Sequence, residues 1–186
     1  MALMNAVDPR VSFAELQLWP DDGRRYELYD GEVIVVPSPL PRHQRVALLI
    51  ADIFLDYERV AGGVVLTAPI DIVFSEFDVL QPDVVFFREE RRFLLDMMEA
   101  TRVAPDLVVE VLSRSTEARD RKRKKGLFAR FGVPEYWIVD PVANTIELYV
   151  LEAGSYTLVA VCTEHDEVHS PTLPGLVFDA RRIFEE

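Results

Sequence analysis

The pattern of apolar and polar positions is most informative between residues 105 and 137, where an apolar run is followed by a basic segment with helical spacing. The run Leu107 to Leu112 is typical of a strand that is buried on both faces, yet Glu110 lies in its middle. An unpaired buried carboxylate is costly, so we expect Glu110 to be neutralised, paired with a cation or bound to a metal ion.

The segment after this strand predicts a helix that ends at Gly132. Its candidate N-caps are Ser113, Ser115 and Thr116. Spacings of three and four residues place one set of side chains on a single face: Asp120, Lys124, Leu127, Phe128 and Phe131. Lys124 should therefore point inward. The simplest interpretation is a structural ion pair with Glu110, or a lysine whose stem packs while its ammonium reaches water.

Residues 80 to 88 predict a second short apolar strand, and Pro82 and Asp83 stand directly before its apolar residues. Two strands that each bring one carboxylate, with a lysine from the following helix, supply the parts for hydrolysing a phosphodiester. The carboxylates would hold a divalent cation, and the lysine would orient or activate the nucleophile.

The remaining pattern predicts an α/β fold with a central mixed sheet flanked by helices. A capping box at Ser12 and Glu15 predicts a short helix over residues 12 to 19. Asp30-Gly31 predicts the turn of a hairpin over residues 26 to 36. A long amphipathic helix is expected over residues 43 to 57. Further strands are expected at residues 64 to 67, 70 to 74, 136 to 139, 145 to 151 and 156 to 161.

Several motifs follow one another in a recognisable order: YELYDGE, a histidine after a short Pro/Ser loop, QPDVVF, PDLVVEVLS, a helical lysine, and GVPEYWIVD. This set resembles the Uma family of predicted restriction endonucleases, formerly a domain of unknown function, in the PD-(D/E)xK restriction-endonuclease-like superfamily. The resemblance covers about residues 13 to 184. It implies a single restriction-endonuclease-like domain, residues 1 to 186, with the N-terminal β-hairpin as an extension.

Carried over to this sequence, the resemblance implies that Asp83, Glu110 and Lys124 form the catalytic set. Asp83 and Glu110 would also be the metal ligands. An all-oxygen site favours Mg²⁺, with Mn²⁺ as a substitute. The superfamily pattern places its lysine two residues after the acid, but Leu112 occupies that position here. We therefore expect Lys124, on the helix, to take over the role of that lysine.

Two further residues are candidate site residues. The resemblance places Glu27 near the site as a third, outer ligand of the metal or of water, and the alternative is a surface acid on a hairpin. His43 matches a histidine that recurs in the family motif. It would contact substrate phosphate, or else cap and pack the long helix.

The net charge of −12 opposes broad, charge-driven binding of nucleic acid. The basic residues are nevertheless concentrated between residues 119 and 125, beside the proposed site. A local positive patch on an acidic protein can guide a polyanion into one cleft. Arg121, Lys122 and Lys125 are therefore candidate nucleic-acid contacts, and the alternative for each is a solvated helix face.

Composition limits the remaining possibilities. With 49% apolar residues, the chain has the composition of a globular domain. No segment is long enough to cross a membrane, and the N-terminus lacks the features of a signal peptide, so we expect a cytoplasmic protein without a membrane partner. A single cysteine, Cys162, excludes an internal disulfide. Exposed strands or the N-terminal hairpin make a homodimer the expected assembly.

The sequence as a whole predicts a metal-dependent endonuclease, a hydrolase with DNA as substrate. Two alternatives stay open. One is a non-catalytic nucleic-acid-binding or scaffold protein that retains the nuclease fold, which the acidic charge favours. The other is a phosphodiesterase that acts on RNA or small nucleotides. The presence of Asp83, Glu110 and Lys124 together favours catalysis.

Overall fold

The computed structural model describes residues 10–113 and 117–185, and the candidate caps Ser115 and Thr116 lie outside these ranges. The helices are α1 (Phe13–Leu16), α2 (Pro41–Ala61), α3 (Glu117–Arg119), α4 (Lys125–Arg130) and α5 (Arg181–Phe184). A 3₁₀ helix spans Glu89–Leu94, and a π-helical turn, Asp120–Lys124, joins α3 to α4. Residues 117–130 together are called the basic helix below.

The strands of the first half of the chain are β1 (Arg25–Tyr29), β2 (Glu32–Val36), β3 (Val64–Thr67), β4 (Ile72–Ser75), β5 (Asp78–Leu80) and β6 (Val84–Phe87). Those of the second half are β7 (Leu107–Val111), β8 (Glu135–Asp140), β9 (Thr145–Glu152), β10 (Ser155–Thr163), β11 (Glu167–His169) and β12 (Val177–Asp179).

The central sheet has six strands in the order β10-β9-β8-β7-β6-β3. It is mixed, because β7 and β8 are parallel whereas their neighbours pair antiparallel. Parallel neighbours need a crossover connection, and the basic helix provides it between β7 and β8. The predicted α/β fold with a central mixed sheet is therefore confirmed.

The N-terminal hairpin belongs to a second, four-stranded sheet with the order β2-β1-β5-β4. Its turn lies at Asp30 and Gly31, both with positive φ, as predicted for a tight hairpin. Strand β5 has three residues and was missed from the sequence, because so short a run carries no clear alternation. The predicted extension is thus half of a sheet rather than an isolated hairpin.

Two apolar clusters cover the faces of the central sheet. On one face, α2 and the C-terminal segments pack around Phe54, Phe86 and Trp137. On the other face, α4 and the four-stranded sheet pack around Phe128, Val108 and other buried side chains. Glu110 follows Val108 by two residues on the same strand, so it faces the basic helix and the four-stranded sheet.

Several predicted elements differ from the structure at their ends. Helix α1 begins after Ser12 with the predicted capping box, but it ends at Leu16 rather than Trp19. Helix α2 begins two residues before His43, because Pro41 is favoured at a first helical position. It continues to Ala61, where Gly62 ends it. Among the described residues, no helix is long and apolar enough to cross a membrane.

Candidate active site

Asp83 and Glu110 are brought together by the pairing of two central strands. Asp83 directly precedes β6, and Glu110 is the fourth residue of β7. The register pairs Val84 with Val109, so Asp83 and Glu110 follow as neighbours across the strands. The amide of Val111 donates a hydrogen bond to Asp83 Oδ2 at 2.8 Å. The backbone of β7 therefore holds the Asp83 carboxylate beside Glu110.

The basic helix packs over these strands, and this places the Lys124 side chain against Glu110. Its π-helical turn runs from Asp120 to Lys124, and both side chains are buried. The Asp120 carbonyl accepts from the Lys125 backbone amide, and the hydroxyl of Tyr136 also donates to it at 3.1 Å. Local π-helical turns are often found at functional sites. The inward facing predicted for Lys124 is confirmed.

The Lys124 ammonium lies among three carboxylates. Its Nζ is 2.8 Å from Glu110 Oε1, 3.0 Å from Glu27 Oε1 and 3.9 Å from Asp120 Oδ1. The residue is 4% exposed, so these contacts are shielded from water. The helix thus brings Lys124 against Glu110, and the strand position two residues after Glu110 holds the buried Leu112.

Glu27 reaches this cluster from the second sheet, and it is fully buried. The hydroxyl of Tyr29 donates to its Oε2 at 2.8 Å, and the amide of Gln81 donates to its Oε1 at 2.9 Å. The alternative of a surface acid is therefore wrong. Glu27 is fixed by two donors, and its carboxylate faces Lys124.

His43 lies in the first turn of α2, and its imidazole contacts Asp83. The distance from Nε2 to Asp83 Oδ2 is 3.2 Å. Burial of the ring disfavours its charged form, but the Asp83 carboxylate outweighs burial and raises the pKa of His43. His43 therefore helps to fix Asp83, whether or not it also touches a substrate.

A cavity of about 250 Å³ opens over these residues. Asp83, Glu110, Asp120, Lys124 and His43 all line it. One wall is the proline-rich segment from residue 36 to residue 40. The cavity therefore offers oxygen ligands, one buried ammonium and an open side.

The charges of the cluster do not balance. Burial raises the pKa of Glu110 well above its ordinary value, although Lys124 opposes that rise. Burial also disfavours the charged ammonium, but Glu110 and Glu27 outweigh it, so the pKa of Lys124 stays well above normal. One lysine thus faces several carboxylates, and an added cation would relieve their repulsion.

The donor set fits an oxygen-seeking divalent cation. Within residues 10–113 and 117–185, no group of three or more His, Cys, Asp or Glu side chains is arranged to hold a metal ion. Mg²⁺, however, is usually bound by one or two carboxylates and keeps several waters. Asp83 and Glu110 supply that number, and Asp120 lines the same cavity.

The three cations predicted to contact nucleic acid lie on the outer side of the basic helix. Arg121 pairs with Glu147 at 2.8 Å, and the Lys125 ammonium is 3.5 Å from the centre of the Tyr149 ring. Lys122 is exposed. None of the three is among the residues that line the cavity in the described part of the chain.

Two arginines line the cavity that sequence reasoning did not select. Arg25 is in β1 and donates to the Pro37 carbonyl at 3.1 Å. Arg119 is in α3, and its buried Nε has no hydrogen-bond partner among the described residues. Arg25 precedes Glu27 by two residues, so the two side chains lie on the same side of the strand. This spacing is the sequence signal that could have identified Arg25.

These features define a class: an α/β protein with a carboxylate and lysine cluster at the end of two central strands. By its sequence, the chain belongs to the Uma2 family, described as "Putative restriction endonuclease", whose model matches residues 13–181. No functionally curated protein matches the chain.

A crystal structure with a similar fold comes from Anabaena variabilis ATCC 29413. That protein is described as "a putative nuclease belonging to DUF820". The TM-score is 0.77 at 16% sequence identity, and the match covers 94% of this chain and 97% of that one. At this identity the likeness shows a shared fold.

Proposed function

We propose that the protein is a metal-dependent nuclease that hydrolyses phosphodiester bonds in DNA. The observation that carries the proposal is the buried Lys124 ammonium, held 2.8 Å from Glu110 in a cavity that Asp83 also lines. Membership of the Uma2 family and the fold shared with a protein described as a nuclease support the same conclusion.

In this proposal, Asp83 and Glu110 bind Mg²⁺, and Mn²⁺ can replace it. When bound, such a cation stabilises charge on the phosphate and lowers the pKa of a coordinated water. His43 and the Val111 amide keep Asp83 in position through its Oδ2 oxygen. These contacts leave Oδ1 as the oxygen through which Asp83 would act as a ligand.

Lys124 would act on the reacting groups directly. An ammonium has three N–H donors, and in Lys124 two of them are taken up by the nearby carboxylates of Glu110 and Glu27. The third is available to orient the attacking water or to hydrogen-bond a phosphate oxygen. Glu27 would fix the ammonium from the side opposite to the scissile phosphate.

Arg25 and Arg119 would supply the positive charge that holds the flanking phosphates. Both line the cavity, and phosphate binding by arginine is charge-assisted and often bidentate. They would offset the net charge of −12 at the one place where the polyanion must enter.

The experiment is a calorimetric titration with Mn²⁺ of the wild-type protein and of Glu110→Gln. Binding by the wild type with loss in the variant is the expected result. Glu147→Gln is the matched control, because this acid pairs with Arg121 outside the cavity. Equal binding by all three proteins would overturn the metal assignment.

A further inference from the structure

A second cavity, of about 200 Å³, adjoins the active-site cavity. Arg25 and Gln81 line both cavities. The two cavities therefore share a wall, across which a nucleic-acid strand bound beside Lys124 can continue.

Trp19 forms an aromatic wall of this second cavity. Its side chain is 42% exposed, although tryptophan normally buries its large ring. Tyr26 packs edge to face against it, with ring centroids 5.3 Å apart and an interplanar angle of 80°. The indole is thus held in one orientation and remains accessible to a flat ligand.

The polar wall presents three carboxylates, from Asp21, Asp22 and Asp71, and two arginines, Arg24 and Arg25. Both arginines have partners, because Arg24 Nε lies 3.6 Å from Asp22 Oδ2 and Arg25 donates to the Pro37 carbonyl. The side-chain amide of Gln81 donates through Nε2 to Asp71 Oδ1 at 2.8 Å, which fixes its orientation. Its Oε1 is buried and has no hydrogen-bond partner among the described residues. Asp22 also lines the cavity, held by the Tyr26 hydroxyl at 2.7 Å.

These two walls select the chemistry of the ligand. The three carboxylates outnumber the two paired arginines, so the wall disfavours a phosphate group and accepts hydrogen bonds from a neutral group. A flat, uncharged ring with N–H donors meets both requirements, and nucleobases have this structure. A base within a duplex is stacked and paired, so its face and its donor edge are occupied.

We propose that the second cavity is a base pocket, which binds one unpaired nucleobase with its face on Trp19 and its amino group on Gln81 Oε1. This inference rests on the proposed nuclease function and narrows the substrate to nucleic acid with a single-stranded segment next to the cleaved bond. The Gln81 backbone amide also donates to Glu27, so the pocket is joined directly to the catalytic cluster.

The test uses the intrinsic fluorescence of the protein, which has two tryptophans. Trp137 is fully buried, so a stacking ligand can quench Trp19 selectively. EDTA is present to prevent cleavage. A single-stranded oligonucleotide should quench the emission in a saturable manner, and the matching blunt duplex should not. Oligo-dC should quench at lower concentration than oligo-dT, because thymine lacks the amino group.

Affinity is then measured by anisotropy with a labelled single strand. Trp19→Ala should bind roughly tenfold more weakly or worse, because stacking on an aromatic ring contributes about 1–3 kcal/mol per base. Trp19→Phe should keep most of the affinity, and circular dichroism confirms that both variants fold. Gln81→Glu is not suitable here, since its added charge would lie beside Asp71.

Each outcome decides something. Equal quenching by single strand and duplex, or unchanged affinity in Trp19→Ala, would overturn the base pocket. Cleavage of DNA in Mg²⁺ is measured separately on the same proteins. Quenching without any cleavage would refute the proposed nuclease function and leave the base pocket standing. Cleavage by the wild type, with no change of single-strand affinity in Trp19→Ala, would refute the base pocket alone.

Discussion

Replacing Lys124 by methionine removes a buried charge and keeps most of the side-chain volume. The change leaves Glu110 and Glu27 buried without the ammonium that lies 2.8 Å and 3.0 Å from them. Removing one partner of a buried ion pair costs about 3–5 kcal/mol, because the other charge stays desolvated. For a chain of this length, that cost lowers the melting temperature by about 6 to 20 °C.

The stability lost in Lys124→Met should increase as the pH rises. Burial raises the pKa of Glu110 above its ordinary 4.5, and Lys124 opposes the rise. Without Lys124, the folded-state pKa rises further. A carboxyl with a raised folded-state pKa contributes stability that is complete below 4.5 and is lost as pH rises through the folded-state value. The variant should therefore be closest to the wild type in acid and furthest from it in alkali.

Lys125→Met is the matched control. Lys125 is the next residue along, and it contacts the face of Tyr149 near the surface rather than the carboxylate cluster. Losing this partly exposed contact costs about 0.5–1 kcal/mol. The assay is chemical denaturation of the three proteins at several pH values. A Lys124→Met deficit no larger than that of Lys125→Met, or one that is flat across pH, would refute the reasoning.

Three further predictions concern residues outside the carboxylate cluster. Replacing Arg121, Lys122 and Lys125 together by Ser should weaken binding of a polynucleotide and lower the salt slope of log K by about 2–3; an unchanged slope would make them a solvated helix face. Val161→Lys should convert a homodimer to a monomer in light scattering, because Val161 is exposed on the edge strand β10; a monomeric wild type would contradict this. Glu135→Ala should cost at least about 2 kcal/mol in urea denaturation, because the buried Trp137 indole and the partly buried hydroxyls of Ser170 and Thr172 lose their acceptor; a smaller loss would mean that water replaces the carboxylate.

The sequence predicted the parts of the site that depend on local spacing. Glu110 stood out because a charge interrupted an apolar strand. Lys124 stood out because its spacing placed it with Phe128 on one helix face. The long helix and the hairpin turn at Asp30 and Gly31 were equally clear, because they depend on neighbouring residues.

The parts that depend on long-range packing could not be predicted. The contact between Lys124 and Glu27 joins residues 97 positions apart, one in the basic helix and the other in the four-stranded sheet. The spacing rule also treats the basic helix as regular, so it gave no sign of the π-helical turn that ends at Lys124. Arg119 was grouped with the other cations, and its place in the cavity depends on how the helix crosses β7.

The most direct test of the central claim is cleavage of plasmid and single-stranded DNA by the purified protein, with Mg²⁺, with Mn²⁺ and with EDTA. Glu110→Gln and Lys124→Met are compared with Lys125→Met, after each is shown to be folded under the assay conditions. The proposed mechanism predicts cleavage by the wild type and by Lys125→Met in either metal. It also predicts none in EDTA and a loss of at least about a hundredfold in the two cluster variants. Cleavage that survives EDTA, or that Glu110→Gln and Lys124→Met retain, would contradict it.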